Sequence, residues 1–562
     1  MTRATYATEG AARTEEIFDG LYAETKGGVL LDSASGEGAI KSFLDSAEHL
    51  PPSIQHAIDR LDGREMSGEQ VLDSVIKGMK LYYDKHGAMP TADVMEAALD
   101  QAANMAGDSK GMVKLDGVGS TGHHNQISYM PEQIQLGLLS AVAEAFPGAT
   151  YLPTGIGSNE ARLGIVSHQA ASKVGGYDVG DLLDGTHIGD TFLSSERTVK
   201  LTLATDRATA TGGITLDGNS QVKLLRGRTQ VYVNGFPVAE ENPNANASAT
   251  TLPLSGLAIL AGTTYTISGT VTPDTGAVSL AFSPALPAGT VVHAEGYIDF
   301  EKQPTLAPRI ATQVQTYTLY AKPWRGLLDQ TIDSKTQAQN EIGMDLQAES
   351  LVAARNQITV ERHRSILVKA VRLAAANTDE FDFDYAGQMQ QKTRAQVWQD
   401  FSAILGKVSQ KMAELTMDRG VTHLYIPKTV KAQWEALPSD LFEKSGLTEI
   451  PGIYRVGRLF GRYEVYYTPW EVLEDEAAGT AQILCYGRSN SPARNSFVMG
   501  DAVPVTVLPT AFGQDMKFGQ ALYARNFTSV NPHMPSAMGC ALITVKNMFK
   551  AANSSTSTAA AA

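Results

Sequence analysis

The longest regular pattern of hydrophobic and polar positions runs from Ser334 to Ala376, a stretch that contains no proline. Apolar residues recur there every seven positions along two stripes, about 200° apart at roughly 100° per residue. Charged side chains fill the faces between the stripes, so we predict a long helix that is neither fully buried nor membrane-spanning. The spacing of Ser334 and Gln337 predicts a capping box at its start. The first stripe is Met344, Leu351 and Ile358, and the second is Leu346, Ala353, Val360 and Leu367.

A helix with two apolar stripes needs two partners. We expect the first stripe to pack on a sheet of its own domain, and the second to meet the N-terminal region or another subunit. A long amphipathic helix is equally compatible with a structural protein and with a large enzyme, because helical periodicity carries no information about chemistry.

Residues 1–150 are predicted to form a helical N-terminal region. Ser67 and Gln70 have capping-box spacing, and the apolar positions that follow recur with helical periodicity. A second helix is predicted from Pro131, a residue that suits the first turn. Between them, residues 117–125 read as a glycine-rich loop.

The middle of the chain changes from loop to strand patterns. Residues 151–198 are glycine-rich and predict an irregular connecting segment, which begins an extended loop. Residues 199–303 predict an inserted β-rich domain of six or so short strands, a small sandwich or barrel. Asn234-Gly235 has the composition of a type I′ hairpin turn, and residues 273–276 (PDTG) have that of a tight turn.

The last part of the chain predicts an α+β fold, because helices, a strand, a further helix and a run of strands follow one another. Residues 304–420 hold the long helix and a second helix that is capped by Thr393 and Gln396 and terminated at Gly420. Residues 421–547 begin with a strand, and Pro427 then opens a short helix. Residues 548–562 predict a flexible tail.

Composition narrows the class of protein. The chain has 562 residues, a formal net charge of −14 and a sequence pI of about 5.3, which argues against a surface dedicated to neutralising phosphates. The only cysteines, Cys485 and Cys540, are predicted to be small buried apolar residues. No apolar run reaches the length of a membrane helix and no secretion signal is evident, so we expect a protein that is neither secreted nor membrane-bound.

The motifs that could carry chemistry are all incomplete. In residues 487–491 (GRSNS), Ser489 sits as in a nucleophile elbow, but serine replaces the final glycine. The pair His123-His124 and the segment from His293 to Glu295 lack the further ligands of a zinc site. The acidic residues of 379–384 lack the ligand spacing of a calcium loop. We therefore predict no catalytic, cofactor-binding or metal-binding residues and no enzyme activity.

Five segments of the C-terminal third carry a more specific signal: residues 421–427 (VTHLYIP), 456–466 (VGRLFGRYEVY), 483–487 (ILCYG), 502–505 (AVPV) and 522–526 (LYARN). Together they resemble the C-terminal region of the major capsid proteins of contractile-tailed and giant tailed bacteriophages. The resemblance covers about residues 295–547. It departs from the family pattern where Cys485-Tyr486-Gly487 lacks a lysine and where Asn526 replaces a glycine.

This resemblance implies the Hong Kong 97-type capsid fold, with an N-terminal arm, an extended loop, a peripheral domain built on a long spine helix, and an axial domain. It implies a virion shell protein, made in the cytoplasm of a bacterial host, that self-assembles into an icosahedral head around double-stranded DNA. The implied partners are copies of the same chain in hexameric and pentameric capsomers, neighbouring capsomers, portal, scaffold, maturation protease and decoration proteins. Packaged DNA would be touched by weak, nonspecific contacts.

Two alternatives remain at this point. The first keeps the fold and makes the chain the shell of an encapsulin-like nanocompartment that encloses cargo enzymes. The second is a multidomain hydrolase with a carbohydrate-binding β module, which requires a convergent pair of carboxylates. For the inserted domain we expect an exposed role, in contacts between capsomers or in surface display.

Overall fold

The computed structural model describes residues 3–25, 38, 40, 68–106, 142, 145–152, 154, 159–185, 191–216, 220–242, 249–338, 341, 346–388, 391–509 and 517–549. These residues divide into two compact units. Unit 1 comprises Met1–Ile165 and Thr316–Ala562, and unit 2 comprises Val166–Gln315. The predicted Gly-rich loop at 117–125, with His123 and His124, and most of the helix predicted from Pro131 lie outside the described residues.

The α-helices of the described chain all belong to unit 1. In chain order they are α1 (Arg3–Glu24), α2 (Gly68–His86), α3 (Ala92–Ala106), α4 (Ile332–Gln337), α5 (Leu346–Ala374), α6 (Tyr385–Gln388), α7 (Arg394–Thr416), α8 (Lys428–Glu435) and α9 (Met534–Ala537).

The strands of unit 1 form a four-stranded and an eight-stranded sheet. They are β1 (Thr150–Tyr151), β15 (Lys322–Thr331), β16 (Thr378–Asp382), β17 (His423–Ile426), β18 (Phe442–Lys444), β19 (Tyr454–Leu459), β20 (Tyr463–Tyr467), β21 (Glu474–Asp475), β22 (Thr480–Tyr486), β23 (Phe497–Pro509), β24 (Lys517–Val530) and β25 (Cys540–Lys546). The four-stranded order is β1-β23-β24-β15, and the eight-stranded order is β16-β25-β22-β17-β20-β19-β18 with β21 beside β22.

The strands of unit 2 form one antiparallel nine-stranded sheet and a small two-stranded one. They are β3 (Glu196–Lys200), β4 (Thr202–Leu203), β5 (Thr209–Gly213), β6 (Thr215–Leu216), β7 (Ser220–Gln221), β8 (Gln230–Val233), β9 (Phe236–Glu241), β10 (Leu252–Leu260), β11 (Thr263–Thr272), β12 (Ala277–Ser283) and β13 (Val292–Tyr297). The nine-stranded order is β3-β13-β8-β9-β10-β11-β12-β5-β4, and β3 also contacts β5, so the sheet curves back towards its own edge.

Two further strands carry the chain between the units. Strand β2 (Glu160–Ala170) pairs with β14 (Ile310–Tyr320) in a two-stranded ribbon, and the boundary between the units passes through both strands. The segment 151–198, predicted to be irregular, therefore contains an eleven-residue strand. The sequence feature that indicates this strand is an alternation: Ala161, Leu163 and Ile165 are buried, and the residues between them are exposed.

Turn chemistry explains the hairpins of unit 2. The predicted type I′ turn joins β8 and β9, with φ of 50° at Asn234 and 87° at Gly235. The predicted tight turn joins β11 and β12, where Gly276 has φ of 72°. Inward-facing apolar residues of these strands form one core, led by Val231, Leu254, Ile267, Leu280 and Phe282.

The eight-stranded sheet is the centre of unit 1, because both of its faces are covered. Strand β17 is buried along its whole length, as expected of a strand between two layers. On one face Leu424 and Ile426 pack with α7 and α8 around Trp398 and Trp434. The predicted capping box of Thr393 and Gln396 is present at the start of α7. The buried apolar residues of α7 include Val397, Phe401, Leu405, Val408 and Met412.

The other face of that sheet meets the long helix and the N-terminal region. Phe146 inserts between the helix and the sheet: its ring centroid lies 5.2 Å from that of His363 and 6.1 Å from that of Tyr425. Gly148 is required beside it, because an added Cβ would lie 2.8 Å from the Tyr486 ring. The N-terminal helices share a small core of their own, in which the predicted residues of α2 are buried.

The long helix differs from its prediction. The described helical segments are α4 and α5, and the cap is Thr331, whose side chain accepts a hydrogen bond from the Ser334 amide, so the box predicted from Ser334 and Gln337 was wrong. Helix α5 contacts both sheets, through β15 and β24 and through β22 and β25. Met344 of the predicted stripes lies outside the described residues, and of the other stripe residues only Leu367 is buried. The buried face is instead formed by Thr359, His363, Ile366, Leu367, Ala370 and Ala374.

Two further sequence predictions need correction. Helix α7 ends at Thr416 with Met417 in the left-handed conformation, at φ of 57°, and not at Gly420. Gly420 instead allows the chain to pass close to α7, since a Cβ there would lie 2.3 Å from Ser409 Oγ. The sequence at Pro323-Trp324 predicts a connection that leads towards the long helix, but residues 322–331 form strand β15, because they pair along their whole length with β24.

Buried histidines make this fold sensitive to acid. Burial lowers the pKa of His423 to about 4, with Arg488 adding to the effect, and burial also lowers the pKa of His86. The unfolded chain binds more protons between pH 6.5 and about 4, so the free energy of unfolding should fall as pH falls through that window. For His423 the loss should reach about 3 kcal/mol.

We predict that His86→Phe, which keeps an aromatic ring beside Tyr82 and Tyr466, loses less stability than the parent between pH 7 and pH 5. Urea unfolding of both proteins at the two pH values measures this difference. An equal loss in both would show that His86 does not contribute.

Candidate assembly surfaces

The serine of the near-elbow motif has a structural role. Ser489 is buried, and its hydroxyl donates to the Asp418 carboxylate. A short 3-10 turn at Pro492–Arg494 follows it in place of the helix that a nucleophile elbow needs. Beside it the guanidinium of Arg419 donates to the carbonyls of Gly487, Arg494 and Ser536 and to the hydroxyl of Ser496.

Two of the acidic residues after the long helix, Asp379 and Glu380, form ion pairs with lysines of the same chain. Asp379 pairs with Lys407 at 2.7 Å, and this hydrogen bond lowers the pKa of Asp379. Glu380 pairs with Lys546 at 2.6 Å. Along the described chain, no three His, Cys, Asp or Glu residues are grouped so that they could hold a metal ion.

The remaining sequence candidates also lie in ordinary structural positions. His293 and Glu295 are on β13, where Glu295 accepts a hydrogen bond from the Tyr297 hydroxyl. Cys485 and Cys540 are free and fully buried, and burial raises both thiol pKa values, that of Cys540 to about 12. Among the helices that the structure describes, none is both long and apolar enough to cross a bilayer.

Basic side chains on α5 also find partners inside unit 1. Arg362 pairs with Asp501 at 3.0 Å, and Arg364 pairs with Glu471 at 3.0 Å. The Lys369 amine donates to the carbonyl of Thr528. Asp501 and Thr528 belong to the four-stranded sheet, whereas Glu471 lies in the loop between β20 and β21, so these contacts fix the helix to that sheet and that loop.

An arginine that the sequence analysis did not single out joins the N-terminal region to the eight-stranded sheet. Arg488 follows β22 and donates to the Pro147 carbonyl at 2.6 Å and to the Thr91 hydroxyl at 2.8 Å. It also pairs with Asp93 at 3.3 Å. Its partners lie more than 300 residues away in the chain, so no local pattern could indicate them.

Among the described residues, three surfaces are exposed: two in unit 1 and one on the ribbon that joins the units. The first is the N-terminal half of α5: between Leu346 and Ile358 no described side chain is buried, and Val352 is 54% exposed. An amphipathic helix of this length draws most of its stability from packing, so an unpacked half indicates a missing partner.

The second uncovered surface is β15, at the edge of the four-stranded sheet. It pairs with β24 on one side, and no described strand pairs with its other side. Leu327, in the middle of the strand, is 71% exposed. An edge of ten residues with an exposed leucine offers backbone donors and acceptors to another chain.

The third is the ribbon of β2 and β14. Strand β14 is exposed over most of its length, including Val314 at 64% and Tyr320 at 62%. Two-stranded ribbons are marginally stable in water without a further layer. Ala161, Leu163 and Ile165 on β2 pack against Val498 and Phe527 in unit 1, which anchors one end and leaves the β14 side open.

Comparison with known proteins places these features in context. No protein-family model matches the chain, and no curated protein matches it. Among solved structures, the chain is similar to the capsid of jumbo bacteriophage PhiKZ, with 11% identity, 69% of this chain and 89% of that chain covered, and a TM-score of 0.32.

Two other similar structures are shells as well. The capsid of Myoviridae phage XM1 has 10% identity, covers 54% of this chain and 88% of its own, and gives a TM-score of 0.26. The encapsulin SrpI from Synechococcus elongatus has 11% identity, covers 42% and 77%, and also gives 0.26. The similar structures thus include phage capsids and an encapsulin, the two kinds of shell that the sequence analysis weighed. TM-scores this low do not assign a function by themselves.

We predict that Arg488→Ala releases the N-terminal region and lowers the free energy of unfolding by about 2–3 kcal/mol, because charge-assisted hydrogen bonds are lost. Limited proteolysis should then cut before residue 150 faster than in the parent. Arg372→Ala, a change at an exposed arginine of α5, is the control and should leave the cleavage pattern unchanged. Unchanged cleavage in Arg488→Ala would contradict the assigned role.

Proposed function

We propose that this chain is the major capsid protein of a tailed bacteriophage and has the Hong Kong 97-type fold. In this proposal it self-assembles into hexamers and pentamers of an icosahedral head that encloses double-stranded DNA. The observation that carries the proposal is the set of three uncovered surfaces among the described residues: half of the long helix, the β15 edge and the β2–β14 ribbon. Together they make a chain that is incomplete without neighbours.

The architecture supports this role physically. A helix that contacts two sheets, and that is held by ion pairs to Asp501 of β23 and to Glu471 in the loop between β20 and β21, gives a rigid body, as a shell subunit needs. Uncovered edges on different parts of one chain suit heterologous contacts, in which each copy presents one surface to a different surface of the next. Such contacts close into rings, which are the capsomers of the proposal.

The segments that carry the sequence resemblance also fall where a conserved framework would be expected. Residues 421–427 contain β17, residues 456–466 span β19 and β20, and residues 483–487 lie mostly in β22. The other two segments lie in β23 and β24 of the four-stranded sheet. All five are strands of the two sheets that meet α5, so the resemblance follows the core of unit 1.

Within this proposal, α5 corresponds to the spine helix, the four-stranded sheet to the peripheral domain and the eight-stranded sheet to the axial domain. The ribbon corresponds to the base of the extended loop, and unit 2 is the insertion. The N-terminal region from residue 68 is retained in the shell, since Tyr82, Val94, Phe146 and Tyr151 share a core with the helix and the sheet. Portal, scaffold, protease and decoration proteins are the further partners of the proposal.

Contact with packaged DNA is weak and nonspecific in this proposal. The chain has a net charge of −14, and Arg362 and Arg364 on α5 already pair with carboxylates. Double-stranded DNA binds tightly only where many phosphates are neutralised, so the genome would be confined by the shell more than bound by it.

Electron microscopy of the expressed chain tests the proposal. We expect closed particles of uniform diameter, alone or when a scaffold protein is coexpressed. A chain that stays monomeric under every assembly condition, including scaffold coexpression, would contradict it. The contents distinguish the alternatives: DNA in particles from infected cells supports the phage head, whereas a protein cargo without DNA supports the nanocompartment.

The uncovered surfaces give a sharper test. Leu327→Glu on β15 and Val352→Glu on α5 should each reduce particle yield at least about tenfold, because a charge would be buried against a neighbour. Thermal unfolding of the unassembled chain should shift little, since both side chains are exposed. Leu473→Glu, at a leucine that is also 71% exposed, is the control. Full particle yield from both variants would exclude these surfaces as interfaces.

A further inference from the structure

Four neighbouring strands of the sheet in unit 2 carry no charge on their outward side. We define the neutral face as the outward residues of β10, β11, β12 and β5. They alternate with the buried residues of each strand, and fourteen of them are exposed, all of them Ser, Thr, Ala, Pro, Leu or Ile. A protein surface of average composition would hold about four charges over fourteen positions. The absence of charge over this area is therefore specific to the neutral face.

The other strands of the same sheet show that the domain does not lack charge in general. On β3, β13 and β9 the outward positions include Glu196, Lys200, His293, Glu295 and Glu240. Unit 2 as a whole has nine lysines and arginines against thirteen aspartates and glutamates. The domain is acidic, and the neutral face is bounded by charge: Glu240 on β9 stands opposite Ser255 at its β10 edge.

The neutral face also has a regular geometry. Strand β11 pairs without a bulge with β10 and β12, so outward residues stand opposite one another: Ser255 opposite Ser268, and Leu257 opposite Thr266. The row continues across β12 to β5, where Ser279 stands opposite Thr211. Leu257 is 61% exposed and Ile259 is 74% exposed, which gives the hydroxyl-rich surface an apolar end.

We propose that the neutral face is a contact surface for the neutral face of a second copy of this chain. The first argument is charge. Two copies that each carry −14 repel one another over most of their surfaces, and like charges placed opposite each other at an interface cost several kcal/mol. A face without charge is where two copies can approach without this cost, and depletion of charge is typical of the buried centre of interfaces.

The second argument is the chemistry of hydroxyl groups. Serine and threonine hydroxyls both donate and accept hydrogen bonds, so a surface of hydroxyls is complementary to itself. A contact between identical patches places each residue against a symmetry-related one, which charged residues of one sign would prevent. A small-molecule site is disfavoured, because such sites are concave and lined by aromatic residues, and the neutral face has neither an outward aromatic side chain nor a ring of polar groups around a pocket.

The size of the face sets how strong this contact is. Four strands at about 4.8 Å spacing span roughly 14 Å, and the four outward residues along each of β10, β11 and β12 span roughly 20 Å. With only two exposed residues on β5, the face measures at most about 300 Å² per copy. Stable interfaces bury about 800 Å² per partner, so one pair is weak. In the proposed shell, on which this step rests, many weak pairs would act together because each copy is already held next to its neighbours.

Crosslinking of single-cysteine variants tests the contact. Ser255→Cys, Ser268→Cys and Ser279→Cys, made separately in the full chain and treated with a short bis-maleimide, should yield covalent dimers for at least one position. Thr198→Cys, on an exposed position of β3 among the charged strands, is the matched control and should yield none. The native cysteines are both buried and should add no background.

Charge insertion tests the physical reason. Adding Ser268→Glu to the variant that crosslinks best should lower the dimer yield about tenfold, because two new carboxylates would face each other. Adding Thr198→Glu in its place should leave the yield unchanged. Equal effects of the two changes would overturn the inference.

Crosslinking is scored both in particles and in the concentrated unassembled chain, so that the two proposals can fail separately. Particles that form without any crosslink at the three positions overturn the neutral-face contact and leave the shell intact. Crosslinks in a chain that never forms particles support the contact and contradict the shell. Absence of crosslinks in both samples overturns the inference. Binding of cell-surface glycans by the neutral face, without contact between two copies, overturns it as well.

Discussion

The aromatic layer between the long helix and the eight-stranded sheet is the contact on which unit 1 depends. Phe146 from the N-terminal region lies between His363 of the helix and Tyr425 of the sheet. Three parts of the chain that are far apart in sequence thus meet in one buried layer. Because aromatic side chains bury large areas, loss of this layer would separate the helix, the sheet and the N-terminal region at once.

This layer also explains why the helix can leave half of its length uncovered. The C-terminal half of α5 is fixed by buried residues and by the pairs of Arg362 and Arg364 with Asp501 and Glu471. Helix formation is cooperative, so a well-anchored half can hold the exposed half in helical form until it meets a partner. The exposed half is then presented in a defined conformation, which lowers the entropic cost of binding.

The sequence predicted best those elements whose signals are local. The turn at Asn234-Gly235, the cap of Thr393 with Gln396 and the strand at residues 230–233 needed only neighbouring residues to specify them. By contrast, β15 pairs with β24, roughly 190 residues further along the chain, and its composition does not distinguish it from a loop that leads into a helix. The prediction that the two stripes of the long helix are its buried faces was wrong for a related reason. Helical periodicity identifies apolar faces, but the packing partner determines which face is buried.

The candidate assembly surfaces show the same difference between features that neighbouring residues specify and features that distant residues specify. Whether a catalytic motif is complete can be judged from the sequence, because such motifs are defined by local spacing. The uncovered surfaces could not be predicted from it, since exposure of Leu327 or Val352 depends on what the rest of the chain fails to cover. Arg488 was missed because an arginine at the end of a strand has no sequence pattern that identifies its partners.

The ribbon of β2 and β14 has a consequence for how such a protein can change over evolution. The chain leaves unit 1 along one strand of the ribbon and returns along the other. Both ends of Val166–Gln315 therefore lie in the two paired strands of the ribbon. The length and fold of this segment can vary without altering the path of the chain through either sheet of unit 1. The ribbon is therefore a point at which one domain can be exchanged for another, and an engineered cargo domain could be grafted there in its place.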